Sequence, residues 1–117
     1  MRKTILNVAI VLALGVTPAA PAEFYALDGE CGLNFTIDSL KGSIAFMAHG
    51  WALHLPKKGF VVLNGKLSES ATAIFDAILA RKGLAVGFYD GTVLPIDLVG
   101  FDTKPFVECI AQIDFAR

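Results

Sequence analysis

The side chains best suited to chemistry are concentrated in one short segment, AHGWALH, which spans residues 48–54. It holds both histidines of the chain, His49 and His54, and its single tryptophan, Trp51. Imidazole binds zinc and copper and transfers protons near neutral pH. The segment therefore has two interpretations: a metal or catalytic site, or an ordinary strand that carries polar side chains.

The spacing of the histidines argues against a shared metal ion. Side chains alternate between faces along a strand, so His49 and His54 point to opposite sides of a regular strand. A bulge at Gly50 would bring them to one face, but further ligands would still be needed, since the chain has no third histidine. We expect no metal and no cofactor, and interpret both histidines as polar positions of a half-exposed strand.

Trp51 has two interpretations of its own. It either packs in the core beneath a helix, which we favour, or anchors a binding surface, because tryptophan is enriched at the energetic centres of interfaces. In the second case the candidate binding surface consists of His49, Trp51, His54, Lys57 and Lys58.

No catalytic template is present in the sequence. We find no G-x-S-x-G, no phosphate-binding loop and no H-E-x-x-H. Three aspartates follow one another along the C-terminal part, but Asp90 before Gly91 is typical of a turn and Asp102 of a helix cap, which leaves Asp97 without a partner. We predict no catalytic residues.

The N-terminus has the pattern of a secretory signal peptide. A basic pair, Arg2 and Lys3, precedes an apolar run over residues 5–16 and a small-residue stretch that ends Ala20-Pro21-Ala22. An apolar run of about 12 residues is too short to cross a bilayer as a helix. We expect cleavage after Ala22 and no stable membrane insertion of the product.

Cleavage there would leave one domain, residues 23–117, in the periplasm or secreted. Loss of Arg2 and Lys3 leaves eight basic against eleven acidic residues, a formal charge of −3. With no basic stripe, nucleic acid is not an expected partner. Cys31 and Cys109 form an even pair in an exported chain, and this predicts a disulfide that contributes roughly 4.5 kcal/mol of stability.

Alternation and turn residues predict about five mainly antiparallel strands. Residues 23–32 are expected to be a lead-in, and strands are expected over residues 33–40 and 43–55, joined by a turn at Lys41-Gly42 and bent at Gly50. Further strands are expected after Gly59, from Gly83 to the Asp90-Gly91 turn, and from there to Phe101, with Pro95 at an edge or a bulge.

Two helices complete the expected α+β domain. Apolar residues at helical spacing predict a central helix over about residues 69–82, with Ser68 or Ser70 as its N-cap and Gly83 at its C-terminal end. A second, short helix is expected over about residues 103–113.

The segment AILARKGLAVGFYDGTVLPIDLVGFDTKPFVECIA resembles the C-terminal part of the invasion-associated locus B family of exported bacterial proteins. The resemblance covers residues 71–112, and Leu98-Val99-Gly100-Phe101 is its most specific piece. It implies an envelope location and a hairpin followed by a helix, and no catalytic residues. Asp97 departs from the serine usual in that family.

Two function classes remain ahead of an enzyme. The first is a small exported binding protein that acts through a protein–protein surface, as an inhibitor, immunity or accessory factor for another envelope or secreted protein. The second is a binder of a small apolar molecule between helix and sheet, for which the nine phenylalanines supply apolar surface.

Overall fold

The computed structural model describes residues 21–113. The expected signal peptide therefore lies outside the described residues, except for Pro21 and Ala22. The described part contains two helices and eight strands in two four-stranded antiparallel sheets, and a disulfide joins Cys31 to Cys109. The α+β class and the disulfide are confirmed, although the strands are more numerous than expected.

The first sheet is a meander whose strands follow chain order. It contains β1 (Glu23–Leu27), β2 (Glu30–Ile37), β3 (Leu40–Met47) and β4 (Gly50–His54). Residues 23–32 are thus not a lead-in, because they form β1 and the start of β2, which pair antiparallel.

The turn between β2 and β3 lies at Asp38-Ser39 and not at Lys41-Gly42 as expected. Asp38 and Ser39 have φ of 51° and 70°, and a type I′ hairpin turn requires such positive values at both central positions. Gly42 lies inside β3, where a Cβ atom would come within 2.7 Å of both Phe35 and Leu55 side-chain atoms. The packing of the Phe35 and Leu55 side chains therefore explains why residue 42 is a glycine.

The long strand expected over residues 43–55 is a hairpin, and no bulge lies at Gly50. The chain turns at Ala48-His49, and Gly50 pairs with Met47 to begin β4. The φ of Gly50 is 135°, a value that side chains rarely permit.

The second sheet contains β5 (Gly59–Leu63), β6 (Lys66–Ser68), β7 (Leu84–Phe88) and β8 (Val93–Pro95), in the order β6-β5-β7-β8. Pro95 lies on the edge strand β8, one of the two positions expected for it. The last expected strand is shorter than predicted, since it ends at Pro95 and the chain continues to Phe101 as a loop with buried apolar side chains.

The two helices are α1 (Ala71–Ala80) and α2 (Thr103–Gln112). Ser70 caps α1 by accepting a hydrogen bond from the backbone N–H of Ala73 at 3.2 Å. The residue that ends α1 is Arg81, with φ of 59°, and not Gly83, whose carbonyl instead accepts from the backbone N–H of Asn64.

Both sheets and both helices contribute to one core. Phe106 of α2 is fully buried, and its ring packs 5.7 Å from that of Phe46 and 5.5 Å from that of Phe75. Val61 and Val86 of the second sheet belong to the same cluster. Neither helix within residues 21–113 is long and apolar enough to span a membrane.

Candidate functional site

The structure places the five predicted surface residues at opposite ends of β4. His49 lies in the turn before this strand and His54 at its end, so their Cα atoms are separated by about 16 Å at the usual rise per residue. Lys57 and Lys58 follow His54. The two histidines therefore do not share a site, although both side chains are exposed.

Trp51 lies on the core face of the first sheet. It pairs with Phe46, which is 4 % exposed, and its own side chain is half-buried against the core cluster. The indole N–H donates to the backbone carbonyl of Glu69 at 3.1 Å. Trp51 thus attaches β4 to the segment that precedes α1, as the core interpretation expects.

Lys57 contacts the second sheet. Its ammonium lies 4.4 Å from the centre of the Phe88 ring and 3.8 Å from an Asp90 carboxylate oxygen. Both charged side chains are exposed, and such pairs contribute little to stability. Lys57 therefore lies at the rim of this sheet and away from His49.

The three aspartates all serve local backbone structure. Asp90 accepts from the backbone N–H of Thr92, and this hydrogen bond lowers the pKa of Asp90. Asp97 accepts from the N–H of Val99 at 3.0 Å, the partner that sequence reasoning did not find, and Asp102 caps α2. Within residues 21–113, no three His, Cys, Asp or Glu side chains are grouped closely enough to hold a metal ion.

Tyr25 and Glu30 form a polar pair on the outer face of the first sheet. The Tyr25 ring lies over Gly32, and its hydroxyl donates to the Glu30 carboxylate. Partial burial, followed by the hydrogen bond and the charge of Glu30, raises the pKa of Tyr25 to about 12. The phenol therefore stays protonated at neutral pH, and the pair is a structural contact.

An open groove of about 530 Å³ lies between the β3–β4 turn and the two helices. It is lined by Phe46, Ala48, His49, Gly50, Ala71, Thr72, Phe75 and Ile110. Its walls are mainly apolar, and the polar side chains at its margin belong to His49 and Thr72. Such a groove can hold an apolar group and offer it a hydrogen bond.

The outer face of the second sheet is a second candidate. Alternation and register place only apolar residues on it, and we call this set the apolar face: Phe60, Val62, Leu67, Ala85, Gly87, Val93 and Pro95, with Tyr89 beside them. The Phe60 ring lies over Gly87 and packs 5.2 Å from the Tyr89 ring.

Large side chains of the apolar face remain in contact with solvent. Tyr89 is 73 %, Leu67 54 % and Val93 52 % exposed. Two strands of five residues and two of three residues give the sheet a footprint of roughly 250 Å², slightly below the largest, often functional, patches on typical monomers. Sequence reasoning did not find this surface, because its members come from four separated strands.

The edges of the second sheet are poor templates for another strand. The edge strands β6 and β8 have three residues each, β8 contains Pro95, and Lys66 lies on β6. Short edges, proline and lysine all oppose strand addition. A partner of this sheet would therefore contact its face.

The resemblance to the invasion-associated locus B family stays a prediction. Comparison of the chain with protein-family models, with curated proteins and with solved structures finds no match.

Proposed function

We propose that this protein is a small, non-catalytic, exported binding protein that acts through a protein–protein contact in the periplasm or after secretion. The observation that carries the proposal is the apolar face, on which no position of the four strands bears a charge. Contiguous exposed apolar side chains on a monomer are often functional. An inhibitor, an immunity protein or an accessory subunit would use such a face to pack against its target.

The arrangement of the apolar face also suits protein recognition. Val62 at its centre is 5 % exposed, whereas Leu67 and Val93 lie towards its two edges and are half-exposed or more. A partner would therefore remove water mainly from Leu67, Val93 and Tyr89. Lys57 and Asp90, both exposed, lie at one end of the sheet and provide a polar rim.

Charge substitution at the two edges of the apolar face tests this proposal. The variants Leu67→Glu and Val93→Lys should each weaken partner capture at least about tenfold, since a buried unpaired charge opposes association. Leu27→Glu is the matched control, because Leu27 is 64 % exposed but lies on the first sheet. The measurement is quantitative mass spectrometry of proteins that copurify with each tagged variant from the envelope fraction.

All three variants should fold, because the substituted side chains are exposed. A partner that is captured equally by Leu67→Glu, Val93→Lys and the wild type would contradict the proposal. If only Leu27→Glu lost the partner, the partner-binding surface would have to be assigned to the first sheet.

The groove supports a second candidate function, the binding of a small apolar molecule between helix and sheet. Its volume of about 530 Å³ lies within the range of small-molecule sites. Ala71→Leu would fill it, whereas Ala80→Leu adds the same atoms at an exposed position of the same helix. A small molecule that copurifies in native mass spectrometry and is lost only in Ala71→Leu would favour this function.

A further inference from the structure

Residues just before β1 belong to the folded domain. Ala22 is 6 % exposed and is part of the core cluster. Its backbone N–H donates to the carbonyl of Asp97 at 2.8 Å, and Pro21 pairs with Asp97 in a parallel bridge. These contacts attach the start of the first sheet to the loop after β8.

The loop that receives them is itself anchored. Ile96 and Leu98, on either side of Asp97, are 6 % and 2 % exposed, and the N–H of Ile96 donates to the carbonyl of Leu84. Ala22 therefore packs against a fixed part of the core.

Cleavage after Ala22 would remove all of these contacts. The buried methyl group of Ala22 would be lost, and the Asp97 carbonyl would lose its partner. A new charged ammonium would also stand at Glu23, beside the position that Ala22 occupied in the core. A cut further upstream avoids each of these costs.

We propose that the leader is cleaved between Ala19 and Ala20, so that the processed chain keeps Pro21 and Ala22. Thr17 and Ala19 provide the two small residues that the peptidase requires before the cut. A cut after Ala20 would instead break a bond to Pro21, whose ring replaces the amide hydrogen. Hydrolysis adds one water across the Ala19–Ala20 peptide bond and leaves a carboxylate on the leader and an amine on Ala20.

This inference rests on the proposed export, and one measurement separates the two. The full chain is expressed in an export-competent bacterium, and the protein from the periplasmic fraction is studied by intact mass and N-terminal sequencing. We expect a chain that begins at Ala20. Any other processed start, Glu23 included, would overturn the assigned cut but leave export intact, whereas an intact Met1 would overturn both.

The contribution of Ala22 to the stability of the domain is measured separately. Purified chains that begin at Ala20 and at Glu23 are compared by thermal unfolding, and the shorter chain should melt about 5 °C lower or more. Ala22→Gly should also lower Tm by more than Ala26→Gly, because Ala22 is buried and Ala26 of β1 is exposed. Equal Tm values in both comparisons would show that Ala22 does not stabilise the domain and would overturn the reasoning.

Discussion

Removal of the disulfide should abolish about half or more of the stability of this domain. Cys31 and Cys109 are 78 residues apart, and closing a loop of this length restricts the unfolded chain by about 4.5 kcal/mol in the chain-entropy treatment. A domain of this size has a total unfolding free energy of about 5–10 kcal/mol. The bond also joins β2 to α2, so its loss frees the helix that carries Phe106 into the core.

The variant to use is Cys31→Ala with Cys109→Ala. Cys31 is fully buried, so serine would introduce a hydroxyl without a partner, whereas alanine does not. We expect a loss of about 4 kcal/mol in guanidinium unfolding at constant pH. The slope m should rise, because the unfolded chain without its crosslink exposes more surface.

Wild-type protein unfolded in the presence of a reductant is the control, and it should match the double variant. A loss below about 1 kcal/mol would refute the calculation of the loop contribution. Two thiols that alkylate in the native exported protein would refute the disulfide itself.

Three further predictions concern the side chains of the first sheet. Trp51→Phe should cost about 1 kcal/mol of stability through loss of the hydrogen bond to Glu69, and Trp51→Ala about 2–4 kcal/mol because it also removes the ring. In denaturant unfolding, an unchanged stability of Trp51→Phe would show that this hydrogen bond contributes nothing, and equal losses in both variants would show that the packing of the ring contributes nothing. The double change of His49 and His54 to Gln should leave stability within about 0.5 kcal/mol, and a larger loss by the same assay would reveal a contact that the exposed histidines do not show. Tyr25, with a pKa of about 12 in the folded protein against 10.0 unfolded, should contribute stability that is complete below pH 10 and is lost as the pH rises towards 12. Ultraviolet titration of the Tyr89→Phe variant measures this pKa, and a midpoint at 10 would contradict the contact with Glu30.

Elements defined by local signals were predictable from the sequence. The apolar period over residues 71–80 and the capping serine before it identified α1, and the cap at Asp102 identified the start of α2. The disulfide followed from a cysteine pair in a chain with a leader-like N-terminus. These signals act within one turn of helix or arise from composition, and they do not depend on the rest of the fold.

Turns were predicted less well, because glycine has two different uses in this chain. Gly65 forms a hairpin turn with Asn64 between β5 and β6, a strand that the sequence did not predict. Gly42 looked similar in the sequence, but its role is to admit the side chains of Phe35 and Leu55. The real turn used Asp38 and Ser39, and only the pairing of β2 with β3 distinguishes these cases.

The sequence by itself determined the α+β class, the two helices and the cysteine pair. The tertiary structure decided which residues share a surface. It separated His49 from His54 along β4, brought Ile110 of α2 beside Ala71 of α1, and placed Leu67, Phe60 and Val93 on one apolar face. The physical reason is that side-chain periodicity describes one element at a time, whereas a surface arises from the order and register in which separate elements pair.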